Sequence, residues 1–191
     1  MKSFCLLALL FSLLGCKKET SVITETIYTD LSNKEVKYNQ IQSVDINNDK
    51  IDDFYFVTSL IGGSDFGSTL FKIRPLLKNR LYIKYDEVKD YHVTPAFNKD
   101  DMINAKSEND FQWGTYSAVT VESLYTTSND QTTWMGPWKQ AQHKYLPVCV
   151  FKDNSYYYGW IELSVNEADE KIILHKAALR KIASKEIGAG Q

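Results

Sequence analysis

Tyr156-Tyr157-Tyr158-Gly159-Trp160-Ile161-Glu162-Leu163-Ser164-Val165 decides the fold. Ile161, Leu163 and Val165 alternate with Trp160, Glu162 and Ser164, the period of two expected of a strand with one face in a core. The flanking segments 148–151 and 171–178 read as strands too. Ile172-Ile173-Leu174 and Ala177-Ala178-Leu179 fit either period, so a strand is the first reading there and a helix over 172–185 the second. Upstream, 22–28 reads as a first strand, 30–34 as a turn and 35–46 as extended chain. Segment 54–61 is apolar on both parities, which predicts a strand buried on both faces or central in its sheet. Gly62 to Gly67 reads as a loop, 69–74, 80–84 and 118–124 as short strands, and 126–133 as a polar loop. Residues 86–117 are the least regular part. With 13% aromatic residues and turn signals at short intervals, the chain is expected to be all-β, a single-domain antiparallel sandwich or open barrel.

The start of the chain carries an address. Lys2 precedes an apolar run over 4–14, and Leu13-Leu14-Gly15-Cys16 resembles the lipobox of bacterial lipoproteins. Eleven residues fall short of the roughly 20 that a membrane-spanning helix needs. The resemblance implies a signal peptide over 1–15 that is removed, and a Cys16 carrying a diacylglyceryl thioether and a further acyl chain. Residues 16–21 would then be the lipidated cysteine and its tether, and 22–191 the folded domain. Two or more chains anchor stably where one is marginal. Lys17 and Lys18 after Cys16 point to the outer membrane or cell surface, with the membrane as a partner through the anchor. The processed chain would carry 21 basic and 24 acidic residues, a balance that argues against a nucleic-acid partner. Cys149 would be its lone free thiol; it lies in an apolar run, so a buried position is expected and a disulfide framework is not.

One segment has chemistry in its spacing: Asp45-Ile46-Asn47-Asn48-Asp49-Lys50-Ile51-Asp52-Asp53. Oxygen donors at alternate positions of a loop converge on a hard cation, so Asp45, Asn47, Asp49, Asp53 and the Ile51 carbonyl are the candidate metal ligands, with calcium the candidate ion. The segment resembles the calcium loops of integrin-type repeats and dockerins. It departs from them at Lys50, where those loops have glycine for a turn at positive φ. A bare Asn/Asp-rich turn explains the same residues without a metal.

Together, the aspartate loop running into 54–56, the YGW of 158–160 and the closing Ala189-Gly190-Gln191 resemble a loose group of uncharacterised bacterial secreted and lipid-anchored β-proteins. That resemblance implies an all-β sandwich with the loop at one edge, and brings no established activity. No GxSxG, HExxH, CxxC or phosphate loop occurs, and His92, His143 and His175 are scattered, so no catalytic residue is assigned and an enzyme is not expected. Trp134, Trp138, Tyr157 and Trp160 are the ligand-contact candidates, set against a role as core packing. Gly136-Pro137 offers a turn to present the first two. The expected function is an envelope interaction module with a structural calcium, its partner a glycan or an envelope protein. A carbohydrate-binding surface lipoprotein for polysaccharide uptake or adhesion is the alternative, and an envelope hydrolase the third.

Overall fold

The alternation at 161–165 faces two apolar layers. The computed structural model describes residues 25–128 and 130–191; the signal, Cys16 and the tether lie outside the described residues. The first half of the chain forms β1 (Thr26–Val36), β2 (Gln42–Val44), β3 (Phe54–Gly62), β4 (Phe66–Pro75), β5 (Arg80–Asp86), β6 (Tyr91–Val93) and β7 (Met102–Ile103). The second forms β8 (Gln112–Gly114), β9 (Ala118–Thr126), β10 (Gln131–Met135), β11 (Lys144–Lys152), β12 (Ser155–Asn166), β13 (Lys171–Arg180) and β14 (Ile187–Gly188). One large sheet runs β1-β13-β12-β11-β5-β6-β9-β4-β3-β2. Thr29 Oγ1–H donates to the Ile46 carbonyl, bringing β1 to the end of β2 and nearly closing the sheet into a barrel. The all-β, single-domain expectation holds, with one addition: β6 and β9 pair parallel. Segment 171–180 is a strand, as first read.

Ile161, Leu163 and Val165 point into the main core with Phe54, Phe56, Phe71, Ile73, Leu146 and Leu174. The opposite face of the same strands is covered as well. Tyr145, Cys149, Tyr158, Trp160 and Ala178 form a second apolar layer under Ile103, Ile187 and Ala189. β14 pairs with β7, and the Asp100 and Ala189 amides donate to the Ala189 and Asp101 carbonyls. Trp160 Nε1–H donates to the Gln191 carbonyl at 3.1 Å. The YGW and AGQ motifs are therefore one structural device: the closing segment folds over the YGW strand.

Gly159 makes the device possible. A Cβ there would lie 2.2 Å from the Ala178 carbonyl oxygen, a backbone atom that cannot swing aside. Pro147 sets the other limit. Tyr145 exchanges both backbone bonds with Phe97, and two residues on, Pro147 faces the same edge without an N–H to donate. β11 meets β5 only at Val148 and Cys149, and segment 95–113 enters beside the break.

One reading needs correction. The expected turn at 30–34 is a bulge inside β1, between Asp30 and Lys34, with Ser32 and Asn33 at φ 53°. Asp30 accepts the Ser32 amide there, so turn chemistry is present but the strand resumes beyond it. For β3 the second alternative holds: it lies inside the sheet between β4 and β2 but is not buried on both faces, with Leu60 and Ile61 exposed beyond the Phe54, Tyr55 and Phe56 that β2 pairs with. β10 was legible only as a polar loop.

Gly159→Ala should lower stability by about 2–3 kcal/mol, the range of severe overpacking, and the melting temperature by several degrees. Gly67→Ala, where an added Cβ meets nothing within 4 Å, should change it by less than about 0.5 kcal/mol. Thermal melts of the two variants side by side check this.

Candidate functional site

Segment 95–113 crosses the outer layer and leaves a cleft of about 410 Å³ against β5 and β11. Its floor is aromatic. The Tyr82 ring lies 5.6 Å from Phe111 in a stacked pair, 5.2 Å from Trp113 and 6.2 Å from Phe97, edge-on. These positions are fixed by hydrogen bonds. The Tyr82 hydroxyl accepts the Glu108 amide at 2.7 Å, and Trp113 Nε1–H donates to the Asn104 carbonyl at 2.8 Å. Burial pushes the Tyr82 phenol above its usual range, so it stays a neutral hydroxyl. Asp101, Asn104, Lys106, Glu108 and Asn109 complete the lining. Flat ring faces beside amides, carboxylates and an ammonium suit a ligand with apolar faces and polar edges.

The aromatics expected to contact a ligand lie elsewhere. Trp138 and Trp160 are fully buried and Trp134 nearly so. Trp134 packs on Phe71 at 5.8 Å, and Trp138 Nε1–H donates to the Thr94 carbonyl. The Gly136 turn, at φ 103°, directs both rings inward rather than presenting them. Trp160 is sealed under the closing segment, and the half-buried Tyr157 packs against the main core. None of the four lines the cleft. Its own rings come from 82, 97, 111 and 113; the one hint was the aromatic content of the irregular stretch 97–113.

The aspartate loop is a self-capped turn. Asp45 Oδ1 accepts the amides of Asn47 and Asn48, and its Oδ2 accepts that of Lys50 at 2.7 Å. Asn47 Oδ1 accepts the Asp49 amide, and Asp49 Oδ1 that of Ile51. Lys50 sits at φ 71° and Asn48 at 60°, so Lys50 takes the left-handed conformation that glycine holds in the loops it resembles, at a cost on the order of 1 kcal/mol. Asp53 is buried and ties the loop to the fold: its oxygens accept the Ile46 amide and the Asn79 side-chain amide. That turns Asp53 inward and leaves Asp45, Asn47, Asp49 and the Ile51 carbonyl as the rest of the expected donor set, with the three side chains already accepting backbone amides. Among the described residues no three His, Cys, Asp or Glu side chains converge as a metal site. Burial, reinforced by the charges of Asp45 and Asp49, raises Asp53 to about 6.

Two polar networks escaped the sequence reading. His143 and His175 stack with centroids 4.4 Å apart, because β11, β12 and β13 are neighbours and His175 falls at the bulge between Glu162 and Leu163. The His143 amide donates to Ser164 Oγ, Ser164 Oγ meets His175 Nε2 at 2.8 Å, and His175 Nδ1 meets Asn33 Oδ1 at 2.7 Å. The order is that of a nucleophile, base and orienting group, but Ser164 is 3% exposed beneath the strands' polar cover. On the far side of the sheet, Ser68, Tyr91 and Lys89 all donate to Glu122. Burial pulls this carboxyl up, but the three donors outweigh it and hold it below the usual carboxylate range. The cluster fastens the turn between β5 and β6 onto β9. Cys149 is buried as expected, its thiol pushed up to about 12 by burial, which removes it as a nucleophile near neutral pH.

Asp45→Ala strips acceptors from three backbone amides and should cost about 2 kcal/mol even in chelator, comparable to the loss of a strong cap. Asp53 has a pH signature. Its carboxyl binds a proton more tightly folded than unfolded, so its contribution is full below about 3.8 and is lost as pH rises through about 6. In chelator, the difference in melting between wild type and Asp53→Asn should therefore move in the variant's favour between pH 4 and 6 and level off above. Scanned against protein-family models, curated proteins and solved structures, the chain finds no match.

Proposed function

We propose that this chain is a lipid-anchored cell-envelope binding protein whose aromatic cleft takes a glycan. The observation that carries the reading is the cleft itself: four rings and a polar rim around about 410 Å³, within the size range of small-molecule sites. A sugar ring offers apolar C–H faces for Phe111 and Trp113 and hydroxyls for Asp101, Asn104, Lys106, Glu108 and Asn109. Anchoring through Cys16 would hold that cleft at the envelope surface, where polysaccharide uptake or adhesion takes place.

Calcium, in this reading, is structural. Asp45, Asn47, Asp49 and the Ile51 carbonyl would hold it at the turn before β3, with the weak affinity of extracellular sites. Its role would be to stiffen the loop rather than to touch the ligand.

Trp113 fluorescence reports on the cleft directly. Titration with a panel of envelope and plant oligosaccharides should find at least one that shifts it saturably. Phe111→Ala should weaken that binding roughly 10–100-fold, the loss of about 1.5–3 kcal/mol of ring burial, with the fold intact. No shift across the panel, or binding untouched by Phe111→Ala, would overturn the glycan reading. New reducing ends during the titration would turn it toward a hydrolase, since Asp101 and Glu108 both line the cleft. Melts in excess calcium and in chelator test the ion separately: an upward shift of about 2–4 °C or more, absent in Asp49→Ala, supports the structural site, and identical curves reject it.

A further inference from the structure

The described chain enters the barrel at one end, and that end is built of loops with uncovered aliphatic tips. Glu25 accepts the Lys181 amide and pairs with Arg180 and Lys185. From there the surface is continuous: the Ser184 amide donates to the Tyr156 carbonyl, Phe151 packs on Tyr156, and the Phe151 amide donates to Asn79. Asn79 in turn donates to Asp53 of the aspartate loop. Three loops thus share one face, and each projects an apolar side chain: Ile51 at 57% exposure, Leu77 at 82% and Ile182 at 41%.

Each of those three is next in sequence to a lysine: Lys50, Lys78 and Lys181. None of the three lysines has an ion pair among the described residues; the Lys78 ammonium lies over the Phe151 ring, 4.9 Å from its centroid. Leu77 also sits at φ 54°, so a bulky residue is held at the turn tip in a conformation that disfavours it. The carboxylates at this end are partly turned inward or paired: Asp45 and Asp53 on amides, Asp49 on Lys152, Glu25 on Arg180 and Lys185. Asp52, Asp153 and Glu186 balance the charges of Lys50, Lys78 and Lys181, so apolar insertion rather than Coulomb attraction must drive any contact. An aliphatic tip with an adjacent lysine, the stem lying along apolar surface and the ammonium in water, suits the boundary between acyl chains and headgroups.

We infer that the face carrying Ile51, Leu77 and Ile182 docks on a lipid bilayer, its three tips entering the headgroup–acyl boundary. The inference rests on the anchoring of Cys16 proposed above and adds an orientation to it. Cys16 lies nine residues before Glu25, a stretch that spans at most about 30 Å. Since the chain enters at this face, a tether of that reach can hold these loops against the membrane. The opposite end, with Val88 at 93% exposure and Leu60 at 59%, then points away, and the aromatic cleft opens on the flank of the barrel.

The test uses the full, processed chain in vesicles of phosphatidylethanolamine and phosphatidylglycerol, with and without brominated acyl chains. Leu77→Trp and Val88→Trp place a reporter at each end, and the four native tryptophans are subtracted with wild type. The docked orientation predicts that the added fluorescence of Leu77→Trp falls at least twofold in brominated vesicles while that of Val88→Trp is unchanged. Unquenched Leu77→Trp in a chain that floats with the vesicles overturns the docking and leaves the anchor standing. So does a blue shift without quenching, which would place a protein or a second copy on this face. Quenching of Val88→Trp instead reverses the orientation. A chain that does not float refutes the anchor itself, and the orientation with it.

Discussion

The structure depends on β12 being buried on both faces. A barrel strand ordinarily shows one face to its core and the other to water. Here Ile161, Leu163 and Val165 fill the barrel while Tyr158 and Trp160 lie under a second layer formed by Ile103, Ile187 and Ala189. Close approach of β13 at Gly159 sets the spacing, and the Trp160 indole bonded to the Gln191 carbonyl closes the lid. Segment 95–113 belongs to that layer through Ile103 and is held to the sheet through Phe97 on Tyr145 and Trp113 on Tyr82.

The cleft is a consequence of the same constraint. A proline in β11 interrupts its ladder with β5, and the chain from Pro95 onward fills the gap, bridging Phe97 to Tyr145. Its rings then gather on Tyr82, whose hydroxyl holds the Glu108 turn. The site is therefore carried by strand residues at its floor and by a hydrogen-bonded segment at its rim, an arrangement that keeps ring positions fixed while leaving polar groups at the edge.

How much of this was legible in the sequence follows from which interactions are local. The two-residue period of 161–165 and the apolar runs at 148–151 and 171–178 announced strands because alternation is a property of neighbours. The aspartate loop announced a turn for the same reason: Asp45, Asn47 and Asp49 each cap amides two to five residues ahead. The bulge at Ser32 and Asn33 was misread as a turn because both use the same short-range side-chain bonds, and only pairing with β13 separates them. Trp138 and Trp160 looked available for a ligand because composition cannot say which layer covers a ring. The stacking of His143 on His175 and the ring cluster around Tyr82 join residues tens of positions apart, through strand order that no local pattern encodes.

Amide hydrogen exchange tests the central claim, that the outer layer is part of the cooperative fold rather than an ornament on it. The Asp100 and Ala189 amides, which bond across the closing segment, should exchange with protection within about tenfold of the Leu163 and Leu174 amides in β12 and β13, as members of one cooperative unit. Exchange of Asp100 and Ala189 at rates near those of exposed loops, with β12 still protected, would contradict the account.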